Sequence, residues 1–350
     1  MSSSVDSIAP APQHDHPLIP ASKIGVLLVN LGTPDEPTAA SVRRYLREFL
    51  SDTRIVDLPR AIWLPILHGV ILNVRPAITA KAYQSIWFDA PSESPLRRYT
   101  REQAEGLQST VGAVSVDWAM RYGTPSIKDR VTALKNSGCD RIFVLPLYPQ
   151  YSATTTGSVH DAVFDAVKAM RWQPAIRTAP AFHDDPDYIK ALGVVMRRHF
   201  GRMGWTPERT IISFHGLPER YFKAGDPYHC HCAKTARLLR TEMGWTEEEA
   251  PLAFQSKFGR EKWLEPATTD IIAQLAAEGV KRLAVIMPGF VSDCIETLEE
   301  VGIAACEQFK NAGGAEFVTV PCLNAEPEMI ELLTKITKRE LAGWITSAAS

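Results

Sequence analysis

Short apolar segments rich in Val, Ile and Leu recur along this chain, separated by longer stretches of helical period. They fall into two sets of four. The first set is KIGVLLVNL (23–31), AVSVDWAM (113–120), DRIFVLPL (140–147) and AIRTA (175–179). The second is TIISF (210–214), PLAFQS (251–256), KRLAVIMP (281–288) and AEFVTVP (315–321). Strands alternating with helices read as βα units and parallel sheet. The sets also resemble each other segment by segment: GVLLVNLGTP with TIISFHGLP, AVSVDWAMRYG with PLAFQSKFG, and CDRIFVLPLYPQYSATT with VKRLAVIMPGFVSDCIETL. In each, an apolar strand runs into a Gly or Pro turn followed by polar residues. This pattern predicts an internal duplication giving two similar α/β domains, each with a four-stranded parallel sheet. Ligands of open parallel sheets sit beyond the carboxyl ends of the strands, so the matched turns are expected to line one cleft. The boundary is expected around residues 181–205.

The duplication also singles out side chains. Superposing the repeats sets Leu31 opposite His215 and Thr154 opposite Glu296, so the second half alone carries ionisable groups at both turns. His215 follows a strand directly and precedes Gly216. Glu296 and Glu300 are spaced i,i+4, which puts both on one face of a helix. Ser292 or Asp293 is placed to cap that helix. Satisfying a turn carbonyl would account for the histidine as well as chemistry does, and acidic residues near a helix start also suit the helix dipole.

Composition excludes several classes. The 350 residues carry a formal net charge of −2 with no long run of either sign, which gives nucleic acid nothing to hold. Apolar residues at 45% and charged residues at 22% predict a folded body. Residues 1–22, rich in Ser, Pro and Ala, read as a disordered tail without the features of a secretory or transit signal. The six cysteines (139, 230, 232, 294, 306 and 322) are mostly scattered and read as reduced thiols of a cytoplasmic protein. The run AIWLPILHGVILNV, Ala61 to Val74, is fourteen residues long and too short to span a bilayer. It reads either as a buried helix or as an apolar lip for a greasy ligand or a membrane surface.

Two stretches attract attention by composition alone. YHCHC, Tyr228 to Cys232, alternates histidine and cysteine. A helix beginning there would turn the two cysteines to different sides, leaving no complete ligand set. QYSATTTGS (150–158) offers hydroxyls ahead of a helix, suited to an anion or to simple capping. No phosphate-binding glycine loop and no nucleophile-elbow motif stands at any strand end.

Together VNLGTP, RYGTP, PLYPQYSATTTGS, SFHGLPERYFKAGDPY, FQSKFGREKWLEP and PGFVSDCIETLEE resemble the ferrochelatases, which insert ferrous iron into a porphyrin. The likeness runs from about Lys23 to Glu326. It implies two Rossmann-like domains, 23–190 with an apolar lip and 191–350 with the metal- and proton-handling residues, the last helix packing back on the first domain. It further implies His215 and Glu296 as catalytic and metal-binding residues, with Glu300 continuing an acidic path. Asn30, Leu31, Tyr122, Tyr148, Gln255, Lys257 and Trp263 fall at positions that line the family's porphyrin pocket. Protoporphyrin IX and Fe(II) are the implied substrates, and Ala61–Val74 the lip through which a soluble or peripheral enzyme touches the inner face of a membrane. The chemistry suits these residues: metallation expels two pyrrole protons, which an imidazole accepts near neutral pH. Nitrogen and oxygen ligands hold Fe(II) loosely enough for transfer. Some members carry a [2Fe–2S] cluster on one loop cysteine and three C-terminal ones. Here Ala153 occupies the loop position and no cysteine follows Cys322, so neither that cluster nor any permanently bound cofactor is expected. A chelatase for another tetrapyrrole or metal, and a non-catalytic carrier, are the competing readings.

Overall fold

The computed structural model describes residues 22–259 and 261–345. The tail expected over residues 1–22 lies, apart from Ser22, outside them. Ten strands are present among the described residues: β1 (Lys23–Gly32), β2 (Phe88–Asp89), β3 (Ser92–Glu93), β4 (Ser115–Tyr122), β5 (Cys139–Pro146), β6 (Ala175–Thr178), β7 (Arg209–His215), β8 (Leu252–Gln255), β9 (Arg282–Ile286) and β10 (Glu316–Thr319). β2 and β3 form a small hairpin, and the other eight are the eight expected from the sequence. They build two four-stranded parallel sheets, ordered β4-β1-β5-β6 and β8-β7-β9-β10. Counted within each half, both orders read second, first, third, fourth. The repeats therefore share their winding as well as their motifs, and each strand order switches between its first and third strands, the point where open α/β sheets generally bind ligands.

The strands are apolar on both faces because both faces are covered. On the outer faces, Leu27 and Val29 of β1 pack with Ile142 and Val144 of β5 beneath the helices Ile127–Asn136 and Ser158–Lys168. Ile211 of β7 and Val285 of β9 do the same in the second half. The inner faces meet in one cluster. Val26, Leu28 and Phe143 of the first sheet join Ile212, Phe214 and Phe254 of the second, through Tyr188, Leu239 and Leu333 of three intervening helices.

Those helices are locally well specified. Pro186–Gly201 starts on an Asp185 cap with proline in its first turn, and Tyr228–Met243 stops at Gly244, whose φ is 72°. The helix Pro327–Glu340 lies against Pro95–Gln108, and beyond it Arg141 donates to the carbonyl of Trp344 at 3.2 Å.

The apolar segment beginning at Ala61 differs from the sequence expectation in length. Helical backbone does not stop at Val74 but runs from Arg60 to Gln84, which is long and apolar enough, by length and composition, to cross a membrane. Leu67, Leu72, Ala80 and Tyr83 turn inward, and helix Leu72–Gln84 packs against helix Ala39–Ser51. Ile62, Ile66, Val70, Val74 and Ile78, each four residues from the last, stand exposed along the other side.

Candidate active site

His215 ends β7, paired in register with Gln255 of β8. Its Nδ1 lies 2.6 Å from the carbonyl oxygen of Gly216. A carbonyl only accepts, so Nδ1 is the donor of this bond, and in the neutral ring the lone pair falls on Nε2. The Gly216 N–H donates to the Gln255 carbonyl at 2.7 Å, and a Cβ at 216 would fall 2.7 Å from that oxygen and 3.1 Å from Cε3 of Trp263. Only glycine fits between the strand and the indole. Trp263 is held there by an antiparallel bridge to Pro218, and its Nε1 is buried without a partner.

Beyond β9 the chain enters a wide π-type helix, Glu296–Ala305. Such i→i+5 turns are rare and concentrate at functional sites. The first half has one at the same point after β5, Ala153–Gly157. The expected cap does not form as drawn. Asp293 spends its carboxylate on the Thr297 hydroxyl at 2.9 Å and the Asn324 amide at 2.7 Å, and Ser292 accepts from Gln103 at 2.9 Å. A buried polar lattice spanning both halves therefore anchors the turn instead of a backbone cap.

Glu296 and Glu300 are gripped from β8. Gln255 Nε2 donates to the Glu296 carbonyl at 3.1 Å, while its Oε1 accepts from Ser213 at 2.8 Å. The next residue, Ser256, donates to Glu300 twice, from its N–H at 2.7 Å and its hydroxyl at 2.6 Å. Burial pushes the Glu300 carboxyl above the ordinary range. The Ser256 bonds and His215 oppose that shift, and the Glu296 charge adds to it.

At the strand ends of the first half, Asn30 and Tyr122 have committed polar groups. Asn30 donates to Thr100 at 3.0 Å and accepts from the Leu31 N–H at 2.9 Å. Tyr122 donates to Asp52 at 2.7 Å, as do Ser158 at 2.6 Å and Arg121 at 2.5 Å. Burial would raise the Asp52 carboxyl, but these donors and the Arg54 N–H hold it below the usual range. Tyr148 is different: its hydroxyl is buried with no partner, and burial drives its phenol well up. Leu31 is half-buried and Lys257 is exposed.

Two tyrosines that sequence reasoning did not single out connect the halves. Tyr45 and Tyr83 come from helices Ala39–Ser51 and Leu72–Gln84 and are buried. Burial raises both phenols, and the charge of Glu296 raises them further; Tyr45 also feels Tyr122 and Tyr148. The polar end of the second sheet and the aromatic end of the first thus share one electrostatic neighbourhood around Tyr45. No sequence motif marks these tyrosines.

YHCHC is the first turn of helix Tyr228–Met243, with Cys230 exposed and Cys232 buried. His231 stacks on His183 with centroids 3.6 Å apart and accepts from the Tyr151 N–H at 3.2 Å, and His229 stacks on Phe254. The hydroxyl-rich loop needs no outside anion, because the Asp226 carboxylate accepts from Ser152 at 2.9 Å and the Ala153 N–H at 2.8 Å.

Two equally wound four-stranded parallel sheets flanked by helices define a chelatase fold. SirB from Bacillus subtilis with Fe3+ superposes with a TM-score of 0.57 at 12% identity, covering 92% of this chain and 97% of that one. A second SirB structure, in complex with cobalt, gives 0.53 over 91% and 95%. Within that fold the chain belongs to the ferrochelatase family, whose family model matches residues 23–341. It is 53% identical to the ferrochelatase of Rhizobium meliloti (strain 1021), over 95% of this chain and 98% of that protein. Identity is 52% to that of Agrobacterium fabrum, over 95% and 97%.

Proposed function

We propose that this chain inserts ferrous iron into protoporphyrin IX, releasing two protons and protohaem. The observation that carries the reading is the His215 ring: with Nδ1 tied to the Gly216 carbonyl, Nε2 is left as a fixed base at the crevice, with Glu296 and Glu300 nearby. Each pyrrole N–H must lose its proton as a metal–nitrogen bond forms. Nε2 accepts such a proton, and the carboxylates strip water from the incoming cation and exchange it readily. His215 and Glu296 are the metal-handling pair and Glu300 the outer step of the path.

The ring would lie between Tyr148 and Leu31 of the first half and Trp263 of the second, with Lys257 facing its propionates. The unpartnered Tyr148 hydroxyl and Trp263 Nε1 support this, since buried polar groups normally find partners. Asn30, Gln255 and Tyr122 have their polar atoms engaged within the protein and act by shaping the wall. The division of labour follows the halves, 23–190 shaping the porphyrin and 191–350 handling metal and protons. No [2Fe–2S] cluster is needed for this chemistry; the ultraviolet-visible spectrum of anaerobically purified protein tests for one.

The exposed stripe on Arg60–Gln84 supports a second element, peripheral contact with the inner face of a membrane that supplies the apolar ring. The deciding assay for the activity is anaerobic metallation of protoporphyrin IX by wild type, His215→Ala and Glu296→Gln. The reading expects turnover by wild type and loss of at least about a hundredfold in each variant, the usual scale for a general base. No product above the uncatalysed rate would favour a carrier, and turnover with another metal alone would favour a different chelatase.

A further inference from the structure

The end of β8 does more than border the crevice. Ser256 is one of two non-glycine residues with positive φ among the described residues, at 65°. A left-handed serine costs about 1 kcal/mol of backbone strain and persists only where its surroundings enforce it. Here the enforcement is visible. In this conformation the Ser256 N–H and hydroxyl both point to one carboxylate, reaching the two oxygens of Glu300 at 2.7 and 2.6 Å. One residue earlier, Gln255 holds the carbonyl of Glu296 at 3.1 Å and is itself fixed by Ser213 at 2.8 Å. Adjacent residues of one strand end thus grip both ends of the acidic turn, and that turn is a π-type helix whose wide backbone has more latitude than an α-helix.

We infer that Ser256 is a positioning residue for the chelation reaction: through its two-point grip on Glu300 it sets where the outer carboxylate stands relative to Glu296 and His215. The inference rests on the metal path proposed above. Each Glu300 oxygen accepts one bond from Ser256 and keeps another lone pair, so a cation takes Glu300 while Ser256 still holds the carboxylate in place. Ser256 therefore acts on metal capture rather than on porphyrin binding.

Anaerobic steady-state kinetics with ferrous iron, and separately with Zn(II), test this on Ser256→Ala, Ser256→Gly and Ser256→Thr. Glycine tolerates the left-handed backbone and loses only the hydroxyl, so it is the variant certain to accommodate the turn. Loss of one hydrogen bond to a charged group predicts that Ala and Gly raise KM for metal about tenfold, with KM for porphyrin within about twofold. Thr keeps the hydroxyl but is β-branched and tolerates the left-handed backbone poorly, so it should recover only part of the loss. In an E300Q background, S256G should add little. The inference is overturned if Gly matches wild type, which would make the serine a matter of backbone alone. It also fails if both KM values rise together, or if S256G and E300Q multiply independently. An inactive wild type would instead sink the proposed activity itself, and E300Q indistinguishable from wild type would remove the path but leave iron insertion standing.

Discussion

The hydroxyl of Tyr228 donates to the carbonyl of His215 at 3.0 Å. The helix start that looks in the sequence like a metal site is therefore a strut for the proposed base. Tyr228→Phe keeps the buried ring and removes the strut. Stability should fall by about 1 kcal/mol, the usual net worth of a hydrogen bond. Metallation should slow several-fold, because the His215 backbone is freer to shift. Chemical denaturation and single-turnover metallation check this, and unchanged kinetics would argue that the strand alone fixes the imidazole.

Gly216→Ala should be more damaging. Its Cβ would meet a backbone oxygen and an indole, and the oxygen belongs to the β8 strand end and cannot swing away. Relief requires Trp263 or the His215 turn to move, at a cost of about 1–3 kcal/mol typical of overpacking. Turnover should drop at least tenfold, by the general sensitivity of catalysis to misplacement of about 1 Å. An active enzyme with intact tryptophan fluorescence would refute the tight fit.

Acid should weaken the protein through the stacked pair His183 and His231. Burial, then the facing His231 and Lys234, push His183 down to about 4, with Asp184 opposing. Burial also lowers His231, against Asp184 and Asp226. Unfolded histidine titrates near 6.5, so between about 6.5 and 4 the unfolded chain binds more protons than the folded one. Stability is full above about pH 6.5 and is lost as pH falls toward 4. Thermal melts across that range should show His183→Phe with a flatter profile than wild type; parallel profiles would place the acid sensitivity elsewhere.

For the lip, Ile66→Glu with Val70→Glu changes two exposed side chains and nothing buried. Burying an aliphatic side chain is worth about 1.5–3 kcal/mol, so partition onto phosphatidylglycerol-containing vesicles should fall well over tenfold. Cosedimentation measures it. Equal pelleting of variant and wild type would mean that the stripe does not face lipid.

All eight sheet strands and the duplication are legible in the sequence because apolar runs bounded by Gly and Pro are local signals. His215 and Glu296 could be picked out because the repeats offer an internal contrast: Leu31 opposite one, Thr154 opposite the other. What escaped depends on pairings distant in sequence. Nothing in FQSKFG announces that Ser256 is left-handed, because serine seldom is. The partner that requires it, Glu300, lies 44 residues on. Asp226 filling the turn at Ser152 spans 74 residues, and Gln103 reaching Asn324 spans 221. The lip reads as fourteen residues because Arg75 breaks the apolar run, whereas helical backbone continues past it as long as an inward face is available to Ala80 and Tyr83.

The inner core runs without interruption from the first sheet to the second. Parting the halves would put Leu28, Phe214 and Leu333 into water together. The exposed Phe258 side chain, two residues past Ser256, is met by Arg75, 4.2 Å from the ring centroid. A core shared in this way ties the two halves into one body, so the pair of sheets is also a single unit of stability.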